Sequence, residues 1–341
     1  MKNIDYSNQI QKEAILNEFK GNLFEFLVAQ GLARRSKLED LFLLSLPMEF
    51  RSQLSSYEEL IRTHEPRLLS KLPELAALTI EKIWSDVKLS NYQFTMWNVI
   101  GKMVATNDNE TWNETDIVGT YKTAEGEEKK LAFSLKLTKD HSFVNTKSAG
   151  VKSFLTKYFS GYGPLVQKMQ NDLNAEVDES FLQMGHRLYS MIDAEFKGSF
   201  TKEWSDHYTE LPGELDSDMK AIVHENYYRV AIKLSSLLEE LKTTNSVLFF
   251  DSLFALCGFG HEEIIQVNCF HQNYEMKEIT IKKFSDFFLK TNKECTLMPL
   301  KELASSVDIV MGDLTLQVRV KPMNKFTTAA YKINCSIKVK G

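Results

Sequence analysis

The spacing of apolar residues changes along this chain of 341 residues, and that change limits the folds it can adopt. Between residues 8 and 89, stretches such as QKEAILNEFKGNLFEFLVAQGL and LPELAALTIEKIWSDV repeat apolar residues every three or four positions, which predicts amphipathic helices. After residue 260, runs such as LTLQVRVKP and YKINCSIKVK alternate and are rich in valine, isoleucine and threonine, which predicts strands. A helical beginning and a β-rich end predict a fold that contains both helices and sheet.

The middle of the chain combines both patterns. Two strand-like runs, DIVGTYK and KLAFSLKL, are joined by the turn TAEGEE. Helices are predicted over 92–107, 165–197 and 217–245, with a break at LPGELDSD, and a short one near KFSDFFLK.

We therefore expect an α/β (α+β) fold in which a mixed β-sheet is flanked by helices. The expected regions are a helical N-terminal region (1–90), a core with a helical elaboration (91–245) and a β-rich C-terminal region (246–341).

The composition predicts a cytoplasmic protein without a membrane partner. No apolar run approaches the roughly 18 residues of a membrane span. The first residues, MKNIDYSNQIQKE, contain no apolar segment of the signal-peptide kind. The cysteines are Cys257, Cys269, Cys295 and Cys335, which are widely separated and form no CxxC pair. We expect reduced thiols and no zinc site.

The net charge of −5 is distributed unevenly. Residues 129–168 contain eight lysines and one acid, and residues 312–341 contain six basic residues and one acid. Residues 171–245 contain fifteen acids and seven basic residues. Because a polyanion responds to the local potential, the two basic segments indicate a nucleic-acid-binding surface. A solvated surface with uneven charge is the alternative interpretation.

The two central strand-like runs concentrate the polar residues of interest. The apolar face of KLAFSLKL consists of Leu131, Phe133, Leu135 and Leu137. Its other face carries Ser134 and Lys136, and on the preceding run Glu114 and Asp116 share a face because they are two positions apart. If the strands are antiparallel neighbours, two carboxylates lie beside a lysine.

Such a set has the chemistry that phosphodiester hydrolysis needs. Carboxylates hold Mg²⁺ through hard oxygen ligands. The ion stabilises charge at phosphorus and lowers the pKa of the attacking water. A nearby lysine orients or deprotonates that water, or neutralises a phosphate oxygen. An amphipathic hairpin with a surface ion pair worth about 0–1 kcal/mol has the same residues, so both interpretations stay open at this point.

Two further segments suggest contacts with nucleic acid. NTKSAG (145–150) is predicted to be a loop that leads into a helix, with Thr146 or Ser148 as the cap and with Lys147 and Lys152 beside a phosphate. An ordinary capped helix is the alternative.

The second segment, QVRVKPMNKFTTAAYKINCSIKVK, places Arg319, Lys321, Asn324 and Lys325 on a strand and turn, where they would contact a DNA groove. The alternative is that these strands belong to a dimer interface or to the core.

Asp116 together with the strand AFSLK, and more loosely the basic segment after it, resembles the PD-(D/E)xK nuclease superfamily and within it the type II restriction endonucleases. The resemblance covers about 45 residues. It implies a restriction-endonuclease-like core, with Asp116 as a metal ligand and Lys136 serving the attacking water.

Two positions depart from the family pattern. Thr115 stands where the family has proline, and Ser134 stands where it has a second metal-binding acid. Other carboxylates that could replace this acid are Glu114, Glu81 on a preceding helix, and Asp140. Glu114 is preferred because it shares a face with Asp116, whereas Asp140 lies too far along the strand.

The resemblance therefore implies a Mg²⁺-dependent, sequence-specific endonuclease of double-stranded DNA that acts as a homodimer. The expected catalytic residues are Asp116, Lys136, Ser134 and Glu114, with Asp116 and Glu114 as metal ligands. The expected DNA-binding residues are Lys147, Ser148, Lys152, Arg319, Lys321, Asn324 and Lys325. A non-catalytic DNA- or partner-binding protein, and a nuclease of repair or phage defence, are the alternatives.

Overall fold

The structure, a computed structural model, describes residues 9–100, 115–139, 144–257, 264–283, 294–323 and 325–339. Glu114, Asp140, Asn324 and most of KFSDFFLK lie outside the described residues. The chain forms two compact units, each built from two segments. They are Met1–Ser142 with Phe259–Asp286, and Phe143–Gly258 with Phe287–Gly341.

The helices, in chain order, are α1 (Gln9–Arg35), α2 (Glu39–Ser45), α3 (Met48–His64), α4 (Arg67–Asp86), α5 (Phe154–Tyr158), α6 (Pro164–Ser190), α7 (Lys202–His207), α8 (Ser217–Thr244) and α9 (Ser246–Leu256). The strands are β1 (Gln93–Val99), β2 (Ile117–Lys122), β3 (Glu128–Thr138), β4 (Val144–Gly150), β5 (Ile264–Gln272), β6 (Glu275–Lys283), β7 (Thr296–Leu297), β8 (Ser306–Met311), β9 (Leu314–Pro322) and β10 (Tyr331–Val339).

The first unit contains a mixed sheet with the strand order β1-β2-β3-β5-β6. β1, β2 and β3 are antiparallel neighbours, β5 runs parallel to β3, and β6 runs antiparallel to β5. Helices α1 and α4 pack together against one face of this sheet. Phe133 and Leu135 of β3 lie in the same core cluster as Val267 of β5 and Leu32 of α1, so this face of the sheet is apolar.

The second unit contains an antiparallel sheet with the strand order β4-β10-β9-β8-β7. Helix α8 packs against both α6 and the strands β8 and β9. The side chains of Val318, Val320 and Ile333 are buried, and they alternate with polar residues on the opposite face. The unit therefore has one apolar and one polar sheet face.

These observations confirm the expected fold class, a mixed α and β fold with a helical beginning and a β-rich end. The break at LPGELDSD is also confirmed, because α8 begins at its end. The Asp216 side chain caps this helix by accepting the backbone N–H groups of Asp218 and Met219. In the described part of the chain, no helix is both long and apolar enough to cross a membrane.

The helix expected over 92–107 is wrong for the described residues, because residues 93–99 form β1, and residues 101–107 lie outside the described part of the chain. Its pairing with β2 shifts between Phe94 and Met96, which inserts an extra residue into the strand. Phe94 and Trp97 are therefore both buried although they are three positions apart. The bulge thus gave the buried residues of this strand the three-residue spacing that is typical of a helix.

The loop expected over 145–150 is also wrong, because residues 144–150 form β4 and pair with β10. The Thr146 hydroxyl donates to the carbonyl oxygen of Leu256 at 2.6 Å, and the short helix α5 has no side-chain cap. The partner strand β10 lies more than 180 residues later in the chain, so the local sequence did not reveal the pairing.

Candidate active site

Asp116 lies directly before β2, where the pairing of β2 with β3 ends. Its carboxylate oxygen Oδ2 accepts the backbone N–H of Leu135 at 2.6 Å and the Lys136 ammonium group at 3.2 Å. The Ser134 hydroxyl donates to the same oxygen at 3.4 Å. The structure thus brings together Asp116, Ser134 and Lys136, as the sequence predicted.

The alternation of β3 explains this arrangement. Phe133 and Leu135 are buried in the apolar core on one face of the sheet. Ser134 and Lys136 consequently point to the opposite face. This face is partly shielded from water, since the side chain of Asp116 is 15% exposed and that of Lys136 is 29% exposed. The ion pair is therefore less screened than one at the open surface.

The carboxylate of Asp116 has one oxygen available for another partner. All of its described hydrogen bonds reach Oδ2, and no donor among the described residues bonds Oδ1. An anchored carboxylate with an available oxygen is suited to bind a hard cation.

The second acid that the resemblance in sequence led us to expect is not identified by the described residues. Glu81 of α4 forms an ion pair with Arg35 of α1, and its side chain is 68% exposed. Glu114 and Asp140 lie outside the described residues. Within the part of the chain that the structure describes, no group of three or more His, Cys, Asp or Glu residues could hold a metal ion.

The neighbouring strand β5 adds two polar residues to this face that were not predicted from the sequence. Gln266 is the register partner of Ser134, and Asn268 is that of Lys136. Both amides are buried, at 2% and 7% exposure. In the sequence, these residues are recognisable as two polar residues, two positions apart, within the otherwise apolar run IIQVNCF. The pairing of β5 with β3 could not be read from that run.

The donor set of this face fits Mg²⁺. The Asp116 carboxylate is a hard oxygen ligand, and the Oε1 atom of Gln266 is a buried oxygen that no described residue bonds. The hard cations that bind carboxylates also bind amide oxygens.

In the second unit, three residues expected to bind DNA, Ser148, Arg319 and Lys321, share the polar sheet face with Asn334 and Lys332. Asn334 of β10 is the register partner of both Ser148 of β4 and Arg319 of β9. Lys332 is likewise the partner of Lys321. Burial, followed by repulsion from Lys332 and Arg319, lowers the pKa of Lys321. Burial is the larger cause of this shift, and the contribution of Lys332 and Arg319 reflects three basic side chains that lie near one another on this face.

The remaining expected DNA-binding lysines have other positions. Lys152 forms an ion pair with Asp178 at 2.6 Å. Lys325 donates to both carboxylate oxygens of Glu210, at 2.7 and 2.8 Å. Hydrogen bonding from Lys325 is the main cause that lowers the pKa of Glu210. Lys147 lies within β4, where the pairing of this strand with β10 shifts register.

No protein-family model matches this sequence, and no curated protein sequence matches it. A crystal structure of the restriction endonuclease MspI in complex with its cognate DNA is similar, with a TM-score of 0.35 and 11% sequence identity. The similarity covers 90% of this chain and 97% of that chain. The functional interpretation rests on the geometry around Asp116.

Proposed function

We propose that this protein is a Mg²⁺-dependent endonuclease that hydrolyses phosphodiester bonds in double-stranded DNA. The observation that carries the proposal is the contact between Asp116 Oδ2 and Lys136 Nζ, 3.2 Å apart on the polar face of the mixed sheet. The aspartate at the end of one strand provides a ligand for a metal cation, and the lysine on the next strand provides a positively charged group beside it.

Each residue has a definite role in this proposal. Asp116 holds Mg²⁺, which stabilises charge at phosphorus and lowers the pKa of water when it is bound. As the ammonium ion, Lys136 orients the attacking water or neutralises a phosphate oxygen, and only as the neutral amine would it receive the proton of that water. Ser134 supports the carboxylate through its hydroxyl group, and Glu114 is the preferred acidic ligand from the sequence. Attack forms a new phosphorus–oxygen bond as the bond to the leaving oxygen breaks.

DNA contacts are proposed for the polar sheet face of the second unit. Arg319, Lys321 and Ser148 offer donors to phosphates and base edges, and the register pairing of Lys321 with Lys332 places two basic residues side by side, which favours an anionic partner. Sequence specificity, homodimerisation and a restriction role are part of this proposal, because two-fold symmetry suits cleavage of both strands of a palindrome. Lys147, Lys152, Asn324 and Lys325 remain predicted DNA contacts.

A non-catalytic DNA- or partner-binding protein is the second candidate. The observation that favours it is Ser134 at the position of the second acid, together with the absence of a three-acid cluster among the described residues. Such a protein would keep its DNA affinity without requiring Mg²⁺ for any reaction.

A plasmid-cleavage assay with and without Mg²⁺ separates the two candidates. The proposal expects Mg²⁺-dependent cleavage by the parent protein and its loss in Asp116→Ala and Lys136→Ala. Lys277→Ala is the matched control, because Lys277 is an exposed lysine of β6 in the same sheet, near Glu275, and lies outside both basic segments. DNA affinity is measured beside cleavage at the same salt concentration. Full cleavage by either site variant would contradict the proposal.

The biological role needs a different observation. A DNA methyltransferase gene beside the gene for this protein would support a restriction system. An otherwise active nuclease without that neighbour would support repair or phage defence.

A further inference from the structure

We propose that Gln266 is an additional metal ligand, whose amide oxygen lies next to the position of Ser134 on the polar face of the sheet. The inference rests on the proposed nuclease function. Gln266 is 2% exposed, and its Oε1 atom is buried with no hydrogen-bond partner among the described residues. Buried polar atoms in native proteins almost always have a partner, so this oxygen requires one.

The strand register places this oxygen next to the candidate site. Gln266 is the parallel-strand partner of Ser134, so both side chains point to the same sheet face from neighbouring strands, which in sheets lie about 4.8 Å apart. The Ser134 hydroxyl in turn lies 3.4 Å from Asp116 Oδ2. Asp116, Ser134 and Gln266 therefore follow one another across three neighbouring strands.

A chain of hydrogen bonds orients the amide. The Asn268 Nδ2 group donates to the Thr280 hydroxyl at 3.4 Å, which directs Asn268 Oδ1 towards Gln266. Gln266 Nε2 donates to that oxygen at 3.0 Å. The Gln266 oxygen is consequently left at the free end of the chain, where a cation can be its partner.

The chemistry of the ligand has a measurable consequence. Amide and carboxylate oxygens both bind hard divalent cations, but the affinity increases with the number of negatively charged ligands. A neutral ligand at position 266 therefore predicts a site that binds more weakly than the same site with an acid at that position. Converting the amide to a carboxylate should tighten binding.

Manganese binding to the full-length protein without DNA provides the test. Mn²⁺ is bound by the same oxygen ligands as Mg²⁺ and can be counted by electron paramagnetic resonance. The variants are Gln266→Leu, Gln266→Glu and Asp116→Asn. Asn226→Leu is the matched control, because Asn226 is a buried amide of the second unit that donates to Tyr331 and whose Oδ1 has no partner among the described residues.

We expect Gln266→Leu to weaken Mn²⁺ binding about tenfold or more, and Gln266→Glu to tighten it. Asn226→Leu should bind like the parent. If Gln266→Leu does not fold, Gln266→Glu decides, because Thr280 can donate or accept and the hydrogen-bond chain can reverse. The proposal is overturned if the Gln266→Glu variant binds Mn²⁺ no more tightly than the parent protein. It is also overturned if the Gln266→Leu variant folds and binds Mn²⁺ as tightly as the parent protein.

Asp116→Asn separates this inference from the function on which it rests. Binding that depends on Asp116 but not on residue 266 overturns only the role of Gln266, which is then a structural amide with a bound water. Binding that depends on neither residue, or no binding by the parent, overturns both proposals.

Discussion

The carboxylate of Asp116 accepts the backbone N–H of Leu135 at 2.6 Å, so the acid is attached to the strand that carries Lys136. Regular pairing of β2 with β3 ends at Ile117, and the side chain takes the place of a backbone acceptor beyond that point. A hydrogen bond from a backbone N–H to a charged acceptor is short and strong. The position of the acid therefore depends on the backbone of its neighbour as well as on its own strand.

This contact predicts different stabilities for two inactive variants. Asp116→Asn keeps an oxygen acceptor for the Leu135 N–H, whereas Asp116→Ala leaves that donor without its acceptor and removes the ion pair with Lys136. We expect Asp116→Ala to be less stable than Asp116→Asn by about 1–3 kcal/mol, with cleavage lost in both. Urea denaturation and plasmid cleavage check this, and equal stabilities would contradict the anchoring role. Ser134→Ala should have a milder effect on cleavage.

The missing acid predicts a difference between two glutamates. If Glu114 completes the metal site, Glu114→Gln raises the Mg²⁺ concentration needed for cleavage with little change in stability. Glu81 pairs with Arg35 at an exposed position, so we expect Glu81→Gln to leave the Mg²⁺ requirement unchanged. Titrating cleavage against Mg²⁺ for both variants distinguishes them. An effect confined to Glu81→Gln would assign the acid to α4 instead.

The polar sheet face predicts how DNA affinity depends on salt. Each phosphate contact that is removed should flatten the slope of log affinity against log salt by roughly 0.9. Loss of a bidentate base contact instead costs about 1–3 kcal/mol at one base pair. We expect Arg319→Ala or Lys321→Ala to produce at least one of these changes. Fluorescence titrations with cognate and non-cognate duplexes at several salt concentrations measure both.

Lys147→Ala and Lys152→Ala should weaken specific and non-specific DNA about equally if they contact phosphates, as the sequence predicts. Lys325→Ala also removes a predicted DNA contact. The ion pair of Lys325 with Glu210 is partly exposed and should contribute at most about 1 kcal/mol to stability, so we expect this variant to fold. Unchanged affinity and specificity in Arg319→Ala, Lys321→Ala and Lys325→Ala at every salt concentration would remove this face from the DNA-binding surface.

Close packing predicts that Gly119 of β2 does not tolerate a side chain. A Cβ atom at this position would lie 2.8 Å from the rings of both Phe94 and Trp97 of β1. We expect Gly119→Ala to lower the free energy of unfolding by about 1–3 kcal/mol. Gly21→Ala is the control, since an added Cβ meets nothing within 4 Å there and alanine favours the helix by about 0.5–1 kcal/mol. Equal effects of both variants would contradict this interpretation.

His271 predicts a loss of stability at mildly acidic pH. Burial, followed by the charges of Lys20 and Lys139, lowers its pKa, although Glu65 opposes this shift. The backbone N–H of Tyr274 also donates to His271 Nδ1 at 3.3 Å, which requires that nitrogen to be unprotonated.

Because the unfolded chain binds this proton near the ordinary histidine pKa of about 6.5 and the folded protein only at lower pH, the free energy of unfolding decreases as pH falls through that value. His271→Asn, which retains an acceptor, should reduce this pH dependence, whereas the exposed His207→Asn should not. Denaturation curves between about pH 7.5 and 5.5 provide the measurement, and an unchanged slope in His271→Asn would refute the prediction.

The sequence by itself determined the features that depend on neighbouring residues. The alternation of KLAFSLKL assigned Phe133 and Leu135 to the core and Ser134 and Lys136 to the opposite face, because successive side chains of any strand point in opposite directions. The short turn before it made β2 and β3 antiparallel neighbours, which brought Asp116 to Lys136. Helical spacing similarly identified the long helices.

Only the tertiary structure decided which distant segments became neighbours. β5 pairs with β3 and places Gln266 beside Ser134, and β10 pairs with β4, which turns an expected loop into a strand. The ion pairs of Lys152 and Lys325 also join residues far apart in the chain. Strand alternation specifies which face a side chain occupies but leaves open which strand lies beside it, because that choice depends on burying the apolar faces of the whole chain together.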